Sequence, residues 1–403
     1  MRLHNYKGWD AVKLSKDSFE AFVVPSLGGR IMGFELGGTN LLFVNPQLEG
    51  KPNVQPTSAW NGVWQNFGGE KIWPAPQGWA GANEWPGPPE PVLDGGVFAA
   101  DELTETSVSL TSPVEPVTGL QIKRKISLDE FGGLRIDAAI INRSKTPSKR
   151  SVWPVAQTAC PDADDDVCQI TFPAPRGYKV MHGVVNNPQY SLESENARVA
   201  YKYMVGKIGA KSEGGWIACA NISSGKIFAA FFDYALEEDY PDGTNVQIWT
   251  SGRGSFYSRG TFKTLADDRA ANPPYMEIEL LSPLKEIAPE QSLDFSYRYA
   301  ACTAPKGANV KTANSVCAVT ERLAAKSADD TVEFSCKFGV FAKGKVLLKS
   351  ASGKILSGEF SVSPIEGADF SAKVKRVKIE GEQQIFLEYS NNKHTLLIDK
   401  VAL

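Results

Sequence analysis

The sequence predicts an all-β protein, and three observations carry that expectation. Strict alternation in "GLRIDAAIIN" (133–142) sets Leu134, Ile136, Ala138 and Ile140 on one face. Short β-branched or aromatic runs recur between turn residues: "KIFAAFFDY" (226–234), "NVQIWT" (245–250), "YMEIELL" (275–281) and "QQIFLEY" (383–389). Helical periodicity is scarce, and "AVTERLAAKS" (318–327) is its best candidate. With 36 glycines and 25 prolines as punctuation, packed antiparallel sheets are the expected architecture.

The 403 residues suffice for one large domain and an accessory module. All nine tryptophans precede residue 301. From Thr303 onward there are none, and basic residues outnumber acidic ones, 15 to 11, against 43 to 46 in the whole chain. The polar stretch "TAPKGANVKTANS" (303–315) marks the change. The expected organisation is therefore a large domain over 1–302 and a small β-sandwich-like domain over 303–403. Alternating lysines in "KGKVLLKS" and "AKVKRVKI" read as a solvated sheet face of the latter.

Balanced charge argues against a nucleic-acid binder, which would usually show a basic stripe. No run of about 18 apolar residues is present to span a membrane as a helix. The start, "MRLHNYKGWDAVKLS", lacks signal-peptide patterning, so a cytoplasmic location is expected unless a signal has been removed, in which case the location is periplasmic or secreted. Six cysteines form no CxxC pair, which argues against a zinc site. Cys160 with Cys168, and Cys302 with Cys317, are spaced to close as disulfides in an oxidising compartment or to stay buried thiols elsewhere.

Residues 66–96 stand out as a stiff aromatic loop, from "NFGGEKIWPAPQGW" through "EWPGPPEPVLDGG". Trp60, Trp64, Trp73, Trp79 and Trp85 crowd residues 60–85 in and just before it, interleaved with Asn66, Glu70, Lys71 and Gln77 and followed by Asp94. Sugars present apolar C–H faces and hydroxyl edges, so aromatic platforms with polar neighbours suit them. Prolines stiffen the segment before binding and so lower its ordering cost. The expected reading is one wall of a carbohydrate groove.

In "YMEIELL", Glu277 and Glu279 alternate with Met276, Ile278 and Leu280, so both carboxylates share the face opposite the apolar one. The pattern thus presents two carboxylates together on one polar face. Lys71 and Lys207 are expected to bind substrate or to work with lowered pKa if buried. Arg30 and Tyr240 are further polar candidates. His182 and Asp242 are candidate partners of the carboxylates. The acidic loop "CPDADDDVC" (160–168) offers Asp162, Asp164, Asp165 and Asp166 as hard oxygens for calcium. Without the glycine and terminal glutamate of an EF-hand it reads as a solvated turn, and no cofactor is expected.

Four stretches in order resemble the galactose mutarotase-like superfamily: "VVPSLGGRIMGFELGGTNLLF" (23–43), "NFGGEKIWPAP" (66–76), "LQIKRKISLDEFGGLRIDAAIINRSKTPSKRSVWP" (120–154) and "YMEIELLSPLKEIAPEQSLDFSYRYA" (275–300). More narrowly, "GGEKIWPAPQ", "WPGPPEPVLDGG", "KIGAKSEGGW" and "YPDG" resemble an uncharacterised bacterial domain-of-unknown-function family within it. The resemblance covers roughly residues 10–300 and implies a β-supersandwich with a sugar groove on its concave side. It also implies a glutamate base, Glu279 first and Glu277 second, that takes the anomeric proton while a histidine protonates the ring oxygen. At the histidine positions this chain carries Asn66-Phe67 and, farther on, Trp153 and Gln157. Three functions follow as alternatives: an epimerase-like or glycan-cleaving enzyme, a non-catalytic carbohydrate-binding protein, or a polysaccharide lyase using Tyr240 or His182 with Lys71 or Lys207.

Overall fold

A computed structural model describes residues 3–54, 64–78, 84–160, 166–258 and 261–403. Among these there is no α-helix, only two single 3-10 turns at Pro241–Gly243 and Arg376–Lys378. The large domain is a pair of antiparallel sheets of twelve and ten strands, stacked face to face. Leu134, Ile136, Ala138 and Ile140 are all buried between them. Ile72, Val152, Ile208, Ile248 and Ile278 face them from the twelve-stranded sheet and join the same core. Alternation therefore leaves the other face of that sheet to carry Lys71, Gln157, Lys207, Gln247, Glu277 and Glu279.

The twelve-stranded sheet contains six neighbouring strands that build the site. Their spatial order is Glu70–Ala75, Ser148–Ala159, Tyr275–Leu280, Val246–Thr250, Gly206–Ala210 and Lys179–His182. A two-stranded hairpin, Gly254–Ser258 with Thr261–Leu265, stands beside them as a separate arm.

Two local expectations are corrected. The segment read as loop contains a buried strand, Glu70–Ala75, paired along Ser151–Ala156. Its two charged residues and its proline hide the strand pattern in the sequence. Pro74 is tolerated because the strand's other edge is paired only at Ile31–Glu70, so no ladder bond awaits its missing N–H. The helical candidate 318–327 is instead part of strand Cys317–Ala328, which pairs along Thr331–Val340 with two irregularities of register. Pairing with neighbours overrides the helix propensity of its alanines and leucine.

The turn in "SLGGR" needs its glycines. Gly28 and Gly29 both have positive φ, and a Cβ on Gly28 would lie 2.2 Å from the carbonyl oxygen of Asp94. This close approach seats the Asp94 turn against Arg30.

Strand Ser292–Thr303 closes the ten-stranded sheet, and the next strand begins at Thr312. Beyond it, two four-stranded sheets enclose a separate core that includes Phe334, Phe338, Leu348, Leu387 and Tyr389. This sandwich meets the outer face of the ten-stranded sheet through Ala218, Ala220, Ala229, Ala300 and Phe341. The Arg298 guanidinium lies 5.6–5.7 Å from the Phe131, Phe231 and Phe341 rings at that junction. All six cysteines are buried thiols, so neither suggested disulfide is formed.

Candidate functional site

The polar face of the six strands floors a cleft of about 810 Å³. Cross-strand register arranges its residues in rows. Gln157, Glu277, Trp249, Lys207 and His182 follow one another across the strands. Lys71, Val155, Glu279 and Gln247 form the next row. Ion pairs run diagonally between the rows. Lys71 Nζ reaches Glu277 Oε1 at 3.4 Å, and Lys207 Nζ reaches Glu279 Oε2 at 2.8 Å. Each lysine steps over one intervening strand to do so.

Each carboxylate also accepts a neutral hydrogen bond. The Gln157 amide donates to Glu277 Oε1 at 2.7 Å, and the Trp153 indole donates to Glu279 Oε2 at 2.8 Å. The lysines are backed by rings. Lys71 Nζ lies 4.8 Å from the Trp73 ring and 5.5 Å from Trp64, while Lys207 Nζ lies 5.1 Å from Trp153. Burial pushes the Glu279 carboxyl above the usual carboxylate range, with Lys207 opposing it. Burial likewise pulls the Lys71 ammonium down, against the pull of Glu277. His182 sits at a bulge, edge-on to Trp249, and burial with the Lys207 charge lowers its pKa.

The walls differ in origin. On one side stand Trp64, Trp73, Gln77 and the Pro88–Pro89 turn; on the other stand His182, Trp249 and the hairpin's Phe256, Tyr257 and Lys263. The first wall is set by Asp94. Its Oδ1 accepts from Trp73 Nε1 at 3.0 Å and pairs with Arg30 at 2.7 Å, and its Oδ2 accepts from Trp64 Nε1 at 3.0 Å. Asp94 itself is held by Glu90, whose carboxylate accepts the backbone N–H groups of Val92, Leu93 and Asp94.

Burial pushes the Glu90 carboxyl up to about 7, the three N–H donors opposing it. Between its ordinary value of 4.5 and about 7 the folded protein holds a proton there that the unfolded chain releases. Stability due to Glu90 is therefore fully present below 4.5 and is lost as pH rises through 7. Urea denaturation at pH 5, 6, 7 and 8 should show wild type losing on the order of 3 kcal/mol relative to Glu90→Gln across that window. A pH-independent difference would contradict this.

The residues expected to meet divide into three groups. Glu277, Glu279, Lys207, Trp64, Trp73, His182 and Asp242 line the cleft, with Asp242 exposed at its mouth in a left-handed turn. Lys71, Asp94 and Arg30 lie just behind it and hold its parts in place.

Of the other described candidates, several point elsewhere. Glu70 faces between the sheets, because it neighbours Lys71 on a strand, and binds Arg124 and the Tyr297 hydroxyl. Trp85 is wholly buried in the core, 5.8 Å from the Trp73 ring. Asn66 is tied through its carbonyl to the Asn45 amide. Tyr240 is buried, its hydroxyl accepting the Ala235 N–H, so it is no base in the cleft. Trp60, Trp79, Asp162, Asp164 and Asp165 lie outside the described residues, and Asp166 pairs with Lys202. Among the described residues no cluster of metal-ligating side chains occurs, and no helix is long and apolar enough to cross a membrane.

Sequence reasoning missed Gln247, Trp249, Phe256 and Tyr275. "NVQIWT" held the signal for two of them, since Gln247 and Trp249 alternate just as the two glutamates do.

The profile of one family, Domain of unknown function (DUF4380), matches residues 10–300. The chain belongs to this family. No curated protein matches this DUF4380 member in sequence. Several solved structures are similar in shape. A galactose mutarotase-like protein from Lactobacillus casei has a TM-score of 0.48 at 8% identity, over 72% of this chain and 99% of its own. A galactose mutarotase-like protein from Clostridium acetobutylicum has a TM-score of 0.44 at 11% identity, over 75% and 98%. The Slr1438 protein from Synechocystis sp. PCC 6803 has a TM-score of 0.46 at 11% identity, over 75% and 100%.

Proposed function

We propose that the cleft binds carbohydrate and that Glu279 with Lys207 performs acid–base chemistry near an anomeric carbon. The observation that carries this reading is the pair of carboxylates, each held by a lysine and a neutral donor, on the floor of an aromatic-walled cleft. Indole faces suit sugar C–H surfaces, and the floor supplies both proton acceptors and donors. Both contacts to Glu279 fall on Oε2, which leaves Oε1 to receive a hydroxyl proton. Lys207 then stands beside it as a cation to neutralise charge on a sugar oxygen. Glu277, the more exposed carboxylate, is the second acid–base group, with Gln157 and Lys71 fixing its orientation.

Time-resolved proton NMR of the anomeric region, with mono- and oligosaccharides, tests the proposal. New or faster-exchanging anomeric signals are expected, and Glu279→Gln should slow them by about 100-fold or more. Unchanged turnover in that variant would remove Glu279 from the chemistry. Line broadening without new signals would instead make the protein a non-catalytic binder. Ultraviolet absorbance growing on a uronate polymer would point to lyase chemistry.

A further inference from the structure

The cleft is wider than one sugar ring needs, and its carboxylates are not at its end. Six adjacent strands floor it, so it spans five strand spacings of ~4.8 Å, or about 24 Å. The strand that carries Glu277 and Glu279 has two floor strands on one side and three on the other. A single pyranose placed at the carboxylates would leave both ends of this floor uncovered.

Aromatic rings stand on both flanks. Half-buried Trp64 stands over Lys71 on one side. Half-buried Trp249, edge-on to Phe256 at 5.2 Å, stands on the other. The Trp64 indole N–H is spent on Asp94, so that residue offers a ligand its ring rather than its hydrogen bond. Charge balances as well. Glu277, Glu279 and Asp242 are matched by Lys71, Lys207 and Lys263 in or directly behind the cleft. Such a surface has no net attraction for an anionic chain.

We infer that the ligand is a neutral oligosaccharide lying across the strands, with at least one ring on each side of Glu277 and Glu279. The position presented to the carboxylates is then internal to a chain rather than a free monosaccharide. This rests on the carbohydrate reading of the cleft and deepens it.

Calorimetric titration with ladders of one to six residues tests it, using gluco-, manno- and galacto-oligosaccharides beside a galacturonate series. For at least one neutral ladder, affinity should rise by about tenfold or more from monosaccharide to tetrasaccharide, as added rings meet the flanking platforms. Phe256→Ala, on the separate hairpin, should erase most of that gain while changing monosaccharide affinity little; Trp249→Ala, beside Glu277 in the floor, should erase the gain and weaken the monosaccharide as well. Trp64→Ala, which also loosens Lys71 and through it Glu277, should weaken monosaccharide and tetrasaccharide alike and remove the gain from the other flank. A monosaccharide bound as tightly as its tetrasaccharide would overturn the inference and leave the carbohydrate reading standing. A preference for the galacturonate series would overturn the neutral-chain assignment. Failure to bind any ladder would sink the carbohydrate reading, and this inference with it.

Discussion

Replacing Glu70 by alanine should lower the free energy of unfolding by about 3–5 kcal/mol. The side chain is fully buried between the sheets, where it pairs with Arg124 and accepts from Tyr297. Truncating it strands the Arg124 guanidinium, itself buried, without a counter-charge. The cost is chiefly that of the orphaned cation rather than the lost contact. Replacing both partners, as Glu70→Leu with Arg124→Met, should therefore recover most of the loss. Urea denaturation of the two single variants and the double variant measures the coupling directly. A loss under about 1 kcal/mol in Glu70→Ala would show that water reaches the pair and that the sheets are less tightly closed there.

Asp94→Ala should damage both stability and the cleft. Asp94 is the common acceptor for Arg30, Trp64 and Trp73, and its removal leaves the Arg30 charge buried and two indole N–H groups without their partner. A loss of about 3–5 kcal/mol is expected from the buried cation alone. The effect on the site is separable from this. Trp64 and Trp73 box the Lys71 ammonium, and Lys71 orients Glu277, so loosening the rings frees the carboxylate. Asp94→Asn keeps the shape and one acceptor oxygen but not the counter-charge of Arg30, so it should retain much of the stability loss while disturbing the wall less than alanine and still weakening glycan binding. Tryptophan emission read beside titration calorimetry distinguishes the two effects. Asp94→Asn with wild-type emission and wild-type affinity would remove Asp94 from any role in shaping the wall.

Much of this was legible from alternation. The pattern of Leu134 to Ile140 gave a core strand, and the pattern of Glu277 and Glu279 placed both carboxylates on one face. The same rule, applied one segment earlier, separates Glu70 from Lys71, but only if Glu70–Ala75 is seen to be a strand. That segment hides itself. Its charges are neutralised on opposite faces by Arg124 and by Glu277, partners more than 50 and 200 residues away that local pattern cannot supply. Trp85 and Tyr240 were illegible for a related reason. Both are large amphipathic rings in turn-rich sequence, and whether such a ring faces a cleft or a core is decided by packing from other segments. The 318–327 segment shows the converse, where local helix preference lost to pairing with a neighbouring strand.

The order of the strands has a consequence for how this protein is made. Tyr275–Leu280 sits between Ser148–Ala159 and Val246–Thr250, and Ser292–Thr303 sits between Lys226–Phe232 and Leu134–Asn142. Both central strands are thus made late: Ser292–Thr303 is the last strand of its sheet, and only the short Lys285–Ile287 follows Tyr275–Leu280 in the other. A nascent chain that has reached residue 274 leaves uncovered four strand edges that these two strands later pair, templates for mispairing with other chains. Residues 304–403 then take roughly 5–20 s to emerge at about 5–20 residues per second. For that interval the closing strands are complete while the chain is still tethered to its ribosome and kept apart from its neighbours. Translating residues 304–403 therefore gives both sheets time to close before the chain leaves the ribosome.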